Sequence, residues 1–368
     1  MILREIALQD FRNIERARLD FQGGRHFFFG SNGQGKTNLL ESIAYLTALR
    51  SFRTADNRLL VRDGSPGAAV SYFLEHESFG GSRIILRIAS SGAREVHWEG
   101  EKVERLGDII GKFPAVVFTS GDIQLVRGAP GIRRRWADLV FSATDPGYFL
   151  ALQQYHRSLA ARNALLKRRA SAGEISAFEK EMAEPAARVI RSRSEGVAAL
   201  NGFLEKVYHR VSGGGEQAAL QYISSAGEEP LAGALMDRWK GARERDMLAG
   251  ATQTGPHRDD FALYLDGRSA IRYGSEGQQR SLVIALRFAQ MEYFRGRTGW
   301  LPLVLLDDVV GELDPGRRER FWANLGAEVQ VFATGTERLA FPGQNWRFFH
   351  TDAGVFREEE RAPVPVQE

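Results

Sequence analysis

Apolar and polar positions alternate at the start of the chain. Leu3-Arg4-Glu5-Ile6-Ala7-Leu8 and Ala17-Arg18-Leu19-Asp20-Phe21 carry the period of two that marks strands, with Gln22-Gly23-Gly24 as a turn. His26-Phe27-Phe28-Phe29 then reads as a short buried strand. Leu39, Leu40, Ile43 and Leu46 share one face of a helix predicted over Lys36 to Arg50. Short strands with Gly-rich turns at Gly80-Gly81 and Ser91-Gly92 follow between Ala69 and Val103, and Phe113 to Phe118 is a further strand candidate. From Tyr148 the period changes. Tyr148, Leu152, Tyr155, Leu159 and Leu166 form one seam, and Ile175, Phe178, Met182, Val189, Val197, Leu200, Leu204, Val207 and Val211 form a second. Spacings of three, four and seven predict two amphipathic helices packed as an antiparallel hairpin, with a kink at Pro185. Arms of this kind reach about 40–50 Å. Strand patterning returns at Asp260-Phe-Ala-Leu-Tyr-Leu265.

The chain has 368 residues, 43% hydrophobic and 26% charged, which is enough for two structural units with real cores. It contains no cysteine, so disulfides, thiolate metal sites and a cysteine nucleophile are all excluded. The N-terminus lacks an apolar leader and the longest apolar run, Trp300 to Leu306, is far too short for a membrane helix, so a cytoplasmic protein with no membrane partner is expected. The net charge is only +3, but between Arg127 and Arg210 fifteen Lys/Arg face eight Asp/Glu. Such a basic middle suits an anionic polymer, and equally a solvated helical surface.

Gly30-Ser31-Asn32-Gly33-Gln34-Gly35-Lys36-Thr37 satisfies G-x-x-x-x-G-K-[ST] between the Phe-rich strand and the first helix. In such a loop backbone N–H groups and the helix N-terminus cradle a β-phosphate, Lys36 reaches the β- and γ-phosphates, Thr37 reaches Mg²⁺, and Asn38 follows. A nucleoside triphosphate ligand is predicted. Leu303-Val-Leu-Leu306 delivers Asp307 and Asp308 at the end of a buried strand. Asp307 suits Mg²⁺ and Asp308 suits the general base that orients the attacking water. The 271 residues between Lys36 and Asp307 mean that something large interrupts one nucleotide fold.

Tyr273-Gly-Ser275-Glu-Gly277-Gln278-Gln279-Arg280 opens a helix ahead of Asp307 and is similar to the Ser-x-Gly-Gln signature of ABC-type ATPases. Glu312-Leu313-Asp314 then follows in the position of a D-loop. With them, Asp10-Phe-Arg12-Asn13, Gly35-Lys-Thr-Asn-Leu-Leu-Glu41, Ser51-Phe-Arg-Thr54, Gly128-Ala-Pro-Gly-Ile-Arg133-Arg134-Arg135-Trp136 and Thr254-Gly-Pro-His257-Arg-Asp-Asp260 resemble the RecF family, related to SMC and Rad50 heads. The resemblance spans essentially the whole chain. It implies an α/β fold: an ABC-type P-loop ATPase head with a mixed sheet, over 1–126 and 245–368, and an inserted helical lobe over 127–244. A frayed tail is expected from 357 to 368.

The resemblance also implies an ATP-dependent homodimer in which Ser275, Gly277 and Gln278 bind the γ-phosphate held by the opposite copy. Such a dimer would bind gapped and duplex DNA without sequence preference, help RecO and RecR load the recombinase RecA in replication, repair and the SOS response, and hydrolyse ATP weakly as a switch. Arg12 resembles an arginine that reaches the nucleotide in Rad50-like heads, and also reads as an ordinary strand arginine. Arg133-Arg134-Arg135 and Lys167-Arg168-Arg169 suit DNA phosphates or a solvated helix face. His257 to Asp260 reads as a structural turn in preference to a catalytic or DNA contact. Two departures stand out: Phe118-Thr-Ser-Gly-Asp122 lacks the family's Pro-Glu, and Val331-Phe-Ala-Thr-Gly-Thr336 lacks a switch His, leaving Thr334 or Thr336 at the γ-phosphate region. The alternatives are a transporter-type subunit, disfavoured by that missing His, and a non-catalytic nucleotide-gated scaffold.

Overall fold

A computed structural model describes residues 1–78, 80–227, 231–339 and 345–359, without the side chain of Glu312. Two compact units emerge: Met1–Asp122 with Phe294–Glu368, and Ile123–Tyr293.

The first unit opens with β1 (Ile2–Phe11), β2 (Ile14–Asp20), β3 (Arg25–Phe29), α1 (Lys36–Ala48), β4 (Gly67–His76), β5 (Gly80–Ala89), β6 (Arg94–Trp98), β7 (Glu101–Lys102) and β8 (Ala115–Thr119). The alternating segments form an antiparallel sheet in the order β2-β1-β4-β5-β6-β7. Its period-two pattern buries Ala68, Val70, Tyr72 and Leu74 of β4 and Ile84, Leu86 and Ile88 of β5 on one face.

The second unit holds α2 (Gln124–Arg127), α3 (Pro130–Ser142), α4 (Pro146–Lys167), α5 (Ala172–Ser212), β9 (Ala218–Ile223), α6 (Ala232–Ala249), β10 (Asp260–Leu265), β11 (Arg268–Ser269), α7 (Ala270–Tyr273) and most of α8 (Glu276–Thr298). α4 and α5 form the expected antiparallel hairpin, with Tyr155 and Leu159 packed against Met182, Ala186 and Ile190. A capping box between Ser171 and Glu174 starts α5. α5 continues for 41 residues across the buried Pro185, about 60 Å along its axis, longer than the expected arm.

The chain returns to the first unit as β12 (Leu303–Asp307), α9 (Val309–Glu312), α10 (Pro315–Asn324), β13 (Val331–Gly335), β14 (Arg347–Asp352) and β15 (Val355–Glu359). These complete a mixed sheet in the order β15-β14-β3-β13-β12-β8, parallel throughout except for the β14–β15 pair. Leu303 to Leu306 and Val331 to Ala333 are all buried, the continuous apolar run of a sheet covered on both faces. His26 locks β3 to its neighbours: its ring stacks on Phe332 with centroids 5.0 Å apart, and burial pushes its pKa down to about 4.

Two expectations are corrected. The second boundary lies at Tyr293/Phe294 rather than at 244/245, because β10 pairs with β9 and the end of α6 is bonded into the arm through Arg162 and Asp246, 2.9 Å apart. Arg357 to Glu359 belong to β15, where they pair with β14; the rest of the expected frayed tail, 360–368, lies outside the described residues. No helix among the described residues is long and apolar enough to cross a membrane.

Candidate functional site

β3 ends at Phe29, and the loop from Gly30 to Gly35 leads directly into α1. The backbone is left-handed at Gly30, Gly33 and Gly35. At Gly30 a Cβ would lie 2.2 Å from the carbonyl oxygen of Thr351, so only glycine fits. Gly35 caps α1 with no side-chain hydrogen bond, leaving the first N–H groups of the helix without a side-chain acceptor. The β14–β15 turn braces the loop from outside: the N–H of Ala353 donates to Gln34 Oε1 at 2.6 Å and that of Gly354 to the Gln34 carbonyl at 2.8 Å.

Lys36 is buried, and its ammonium donates to the carbonyls of Gly30 at 2.6 Å and Ser31 at 2.9 Å. Burial lowers its pKa, against the opposing pull of Asp308 and Asp307. The Thr37 hydroxyl donates to Asp307 Oδ1 at 2.7 Å. Two motifs 270 residues apart in sequence therefore meet within one hydrogen bond.

β13 lies between β3 and β12, and it carries Thr334 to the same place. The buried Thr334 Oγ1 accepts from the N–H of Asp308 at 3.0 Å and lies 3.1 Å from Asp307 Oδ1, closer than the Leu306 carbonyl at 3.4 Å. Asp308 adopts a left-handed backbone, φ 57°, and caps α9. Burial raises the pKa of Asp307, as does Asp308, while the Thr37 and Thr334 hydroxyls and Arg53 pull it the other way. Among the described residues no cation lies within ion-pair distance of either acid. The set fits Mg²⁺: a partly buried carboxylate held by two hydroxyls, one of them from the phosphate loop. Of the two threonines after β12, only Thr334 arrives there; Thr336 is exposed.

Arg12 takes a different position. Its guanidinium clasps the fully buried Glu41 at 2.9 and 2.8 Å, with Arg53 on the same carboxylate at 3.1 Å and the Ser51 hydroxyl bonded to it. Sequence reasoning missed Asn13 as a site residue. Its Nδ2 donates to the Gly33 carbonyl at 3.2 Å and its Oδ1 accepts from Asn38 at 2.7 Å, so it ties the middle of the loop to the first turn of α1. Its position directly after Arg12 in the quoted motif was the available signal.

In the second unit, Ser275 starts α8 with a capping box: Ser275 N–H donates to Gln278 Oε1 at 2.8 Å and Gln278 N–H to Ser275 Oγ at 3.2 Å. Ser275 is exposed, Gly277 half-buried, and Gln278 Nε2 also reaches Glu216 at 2.9 Å. Arg133 is paired with Asp260 at 2.8 and 2.9 Å and Arg134 donates to the Asp259 carbonyl at 2.7 Å; Arg135 is half-buried beside them. Lys167, Arg168 and Arg169 are exposed at the α4–α5 turn, with Arg168 on Glu174 at 2.6 Å. His257 to Asp260 form a tightly bonded turn. His257 Nε2 faces the Thr252 carbonyl at 2.9 Å and must donate, so Nδ1 accepts from Tyr155 at 2.6 Å.

Comparison with known proteins gives a consistent result. The family model described as RecF/RecN/SMC N terminal domain matches residues 2–342. The chain is 35% identical to the DNA replication and repair protein RecF of Heliobacterium modesticaldum, over 97% of each chain. A solved structure of the recombination mediator protein RecF-ATP in the RecFOR pathway superposes with a TM-score of 0.89, at 30% identity over 97% of each chain. An SMC head bound to the C-winged helix domain of ScpA shares the fold, with a TM-score of 0.55 at 15% identity over 98% of each chain.

Proposed function

The chain belongs to the RecF/RecN/SMC family and within it to the RecF proteins, and on that footing we propose that it is an ATP-dependent DNA-binding protein of replication and recombinational repair. ATP bound at the Gly30–Thr37 loop joins two copies, each lending Ser275, Gly277 and Gln278 to the other's γ-phosphate. The closed dimer holds DNA near single-strand gaps and assists RecO and RecR in loading RecA. The observation that carries the reading is the Thr37–Asp307–Thr334 cluster at the mouth of the loop.

The chemistry follows from the residues. Lys36 leaves the Gly30 and Ser31 carbonyls and turns to the β- and γ-phosphate oxygens. Thr37 and Asp307 would hold Mg²⁺, which neutralises phosphate charge when bound. Asp308, fixed by Thr334 through its own N–H, orients the attacking water and takes its proton. With no His in the Val331–Thr336 segment, a switch His of the transporter type is missing there, which suits slow, switch-like hydrolysis. DNA contact falls to Lys167, Arg168 and Arg169, all exposed although Arg168 also pairs with Glu174, rather than to the half-buried Arg133 and Arg134, which are engaged by Asp260 and the Asp259 carbonyl. It follows the backbone and weakens steeply with salt.

The test is sedimentation and gapped-duplex binding with and without ATP. Wild type should dimerise and bind DNA with ATP, Lys36→Ala should do neither, and Ser275→Arg should bind ATP yet remain single. Dimerisation by Lys36→Ala equal to wild type would remove the proposal.

A further inference from the structure

Three turns interlock at the phosphate loop, although 319 residues separate Gln34 from Ala353. Asn13 lies in the turn between β1 and β2, and Ala353 and Gly354 lie in the turn between β14 and β15. A Cβ added to Gly35 would lie 3.0 Å from Asn13 Oδ1 and 3.4 Å from the Gly354 Cα. One added to Gly354 would lie 2.9 Å from the Asn13 carbonyl oxygen. The two outer turns therefore pack on each other as well as on the loop.

What the outer turns grip is specific. Both hold carbonyl oxygens of the loop: Asn13 Nδ2 donates to that of Gly33 at 3.2 Å, and the Gly354 N–H to that of Gln34 at 2.8 Å. A trans peptide unit is planar, and its C=O and N–H point opposite ways. Drawing the Gly33 carbonyl outward therefore turns the Gln34 N–H inward, and drawing the Gln34 carbonyl outward does the same for the Gly35 N–H. The Gly35 N–H has no acceptor among the described residues. The Gln34 side chain is pulled outward too, because its Oε1 accepts from the Ala353 N–H at 2.6 Å. By contrast, the carbonyls of Gly30 and Ser31 turn to Lys36.

We propose that Asn13 and the Ala353–Gly354 turn are positioning elements for the nucleotide, aiming the N–H groups of Gln34 and Gly35 at its phosphates. The inference rests on the reading that the loop holds a nucleotide, and it needs no second copy of the chain. Without these clips the same two peptide units are free to rotate, and a rotated unit offers an anion its carbonyl oxygen, which repels it. With them the N–H groups are preset, so little ordering is left to do when phosphate arrives, and the clips act on affinity. Neither Asn13 nor the β14–β15 turn belongs to the G-x-x-x-x-G-K-[ST] pattern. The cradle is thus completed by residues outside its motif.

The experiment measures the affinity of the full chain for a fluorescent ADP analogue, comparing wild type, Asn13→Ala, Gln34→Ala, Lys36→Ala and Val355→Ser. ADP carries the β-phosphate and cannot be hydrolysed at a γ-phosphate. Val355 is 47% exposed on β15 and serves as a control on the same hairpin. Melting is recorded for each variant, so that affinities are compared where all are folded. Asn13→Ala and Gln34→Ala should each weaken binding by roughly threefold to tenfold, the usual effect of one lost hydrogen bond, with Val355→Ser like wild type. The amide ¹H–¹⁵N resonances of Gln34 and Gly35 should move when ADP is added to wild type and move less in the two variants, a response that a merely structural role would not give. If Lys36→Ala loses affinity while Asn13→Ala and Gln34→Ala match wild type, or if the two amide resonances stay still with ADP, the inference fails and the functional reading survives. If Lys36→Ala binds ADP as wild type does, the nucleotide sits elsewhere and both fail.

Discussion

Two Asp-Asp pairs sit in the two units, and their surroundings differ in kind. Asp259 and Asp260 of the second unit are saturated: Arg193 lies 3.3 Å from Asp259, the Tyr222 hydroxyl and the Ser225 N–H (2.8 Å) bond the same carboxylate, and Arg133 clasps Asp260. Asp307 and Asp308 of the first unit are met by hydroxyls and a backbone N–H, and burial pushes Asp307 up. An acid enclosed by guanidinium is structural, because its charge is already answered. An acid kept in a buried place without a cation is held ready for one that the chain does not supply.

The largest effect should separate the pairs by activity. Asp308→Asn should lower ATP hydrolysis by roughly 10²- to 10⁴-fold, the usual range for a lost general base, while ATP-dependent dimerisation persists. Asp260→Asn should leave turnover per folded molecule near wild type and lower stability instead. A steady-state ATPase assay beside a melting curve reads both, and equal turnover losses would erase the distinction.

The converse test acts on stability. Arg193 is 1% exposed and answers Asp259, Asp138 and the Pro256 carbonyl at 3.3, 2.8 and 2.7 Å. Arg193→Ala takes the cation from the buried Asp259 and the partly buried Asp138 and should cost about 3–5 kcal/mol, read from urea unfolding. Asp307→Asn removes a charge that burial disfavours and should leave stability unchanged or raised, while abolishing the Mg²⁺ dependence of ATP binding.

Acid should act on the saturated turn through its histidine. Burial lowers the His257 pKa from 6.5 to about 4, so the folded chain keeps a neutral ring where the unfolded chain takes a proton. Stability from this group is therefore full above pH 6.5, drains as pH falls toward 4 and is flat below. The span corresponds to about 3 kcal/mol. His26 in the first unit adds a fall over the same window. His257→Gln, followed by urea unfolding across that range, should show a shallower decline than wild type; identical slopes would mean that the turn is not closed to protons.

The phosphate loop, the acid-tipped strand and both arm seams were legible because each rests on local spacing that the backbone must obey. Tyr148, Leu152, Tyr155, Leu159 and Leu166 are buried as their spacing requires. The boundary near 244 was not legible, because β9–β10 pairing and the bond from Arg162 to Asp246 join segments whose patterns say nothing of each other. Arg133 and Arg134 looked like phosphate ligands for the same reason: their partners, Asp260 and the Asp259 carbonyl, lie more than a hundred residues away. Nor does anything local to Glu41 show that Arg12 and Arg53 converge on it. Charge is visible in a sequence; what neutralises it is settled by topology.

The smallest effect bears on what keeps the unsaturated pair in place. Thr334 has one hydrogen and two lone pairs, and it uses them on both acids: it accepts from the Asp308 N–H and is nearest Asp307 Oδ1. Thr334→Val keeps the shape of a buried strand residue but removes both bonds, leaving an N–H without an acceptor beside a left-handed backbone. The cost should be about 1–3 kcal/mol in stability, together with a lower kcat at nearly constant KM, since Lys36 and the loop still bind nucleotide. Thr334→Ser restores the hydroxyl and should recover turnover even where the lost methyl keeps stability low. That separation is the decisive reading: if serine and valine reduced turnover alike, Thr334 would be serving the sheet, and the acids at the end of β12 would owe their arrangement to Thr37 alone.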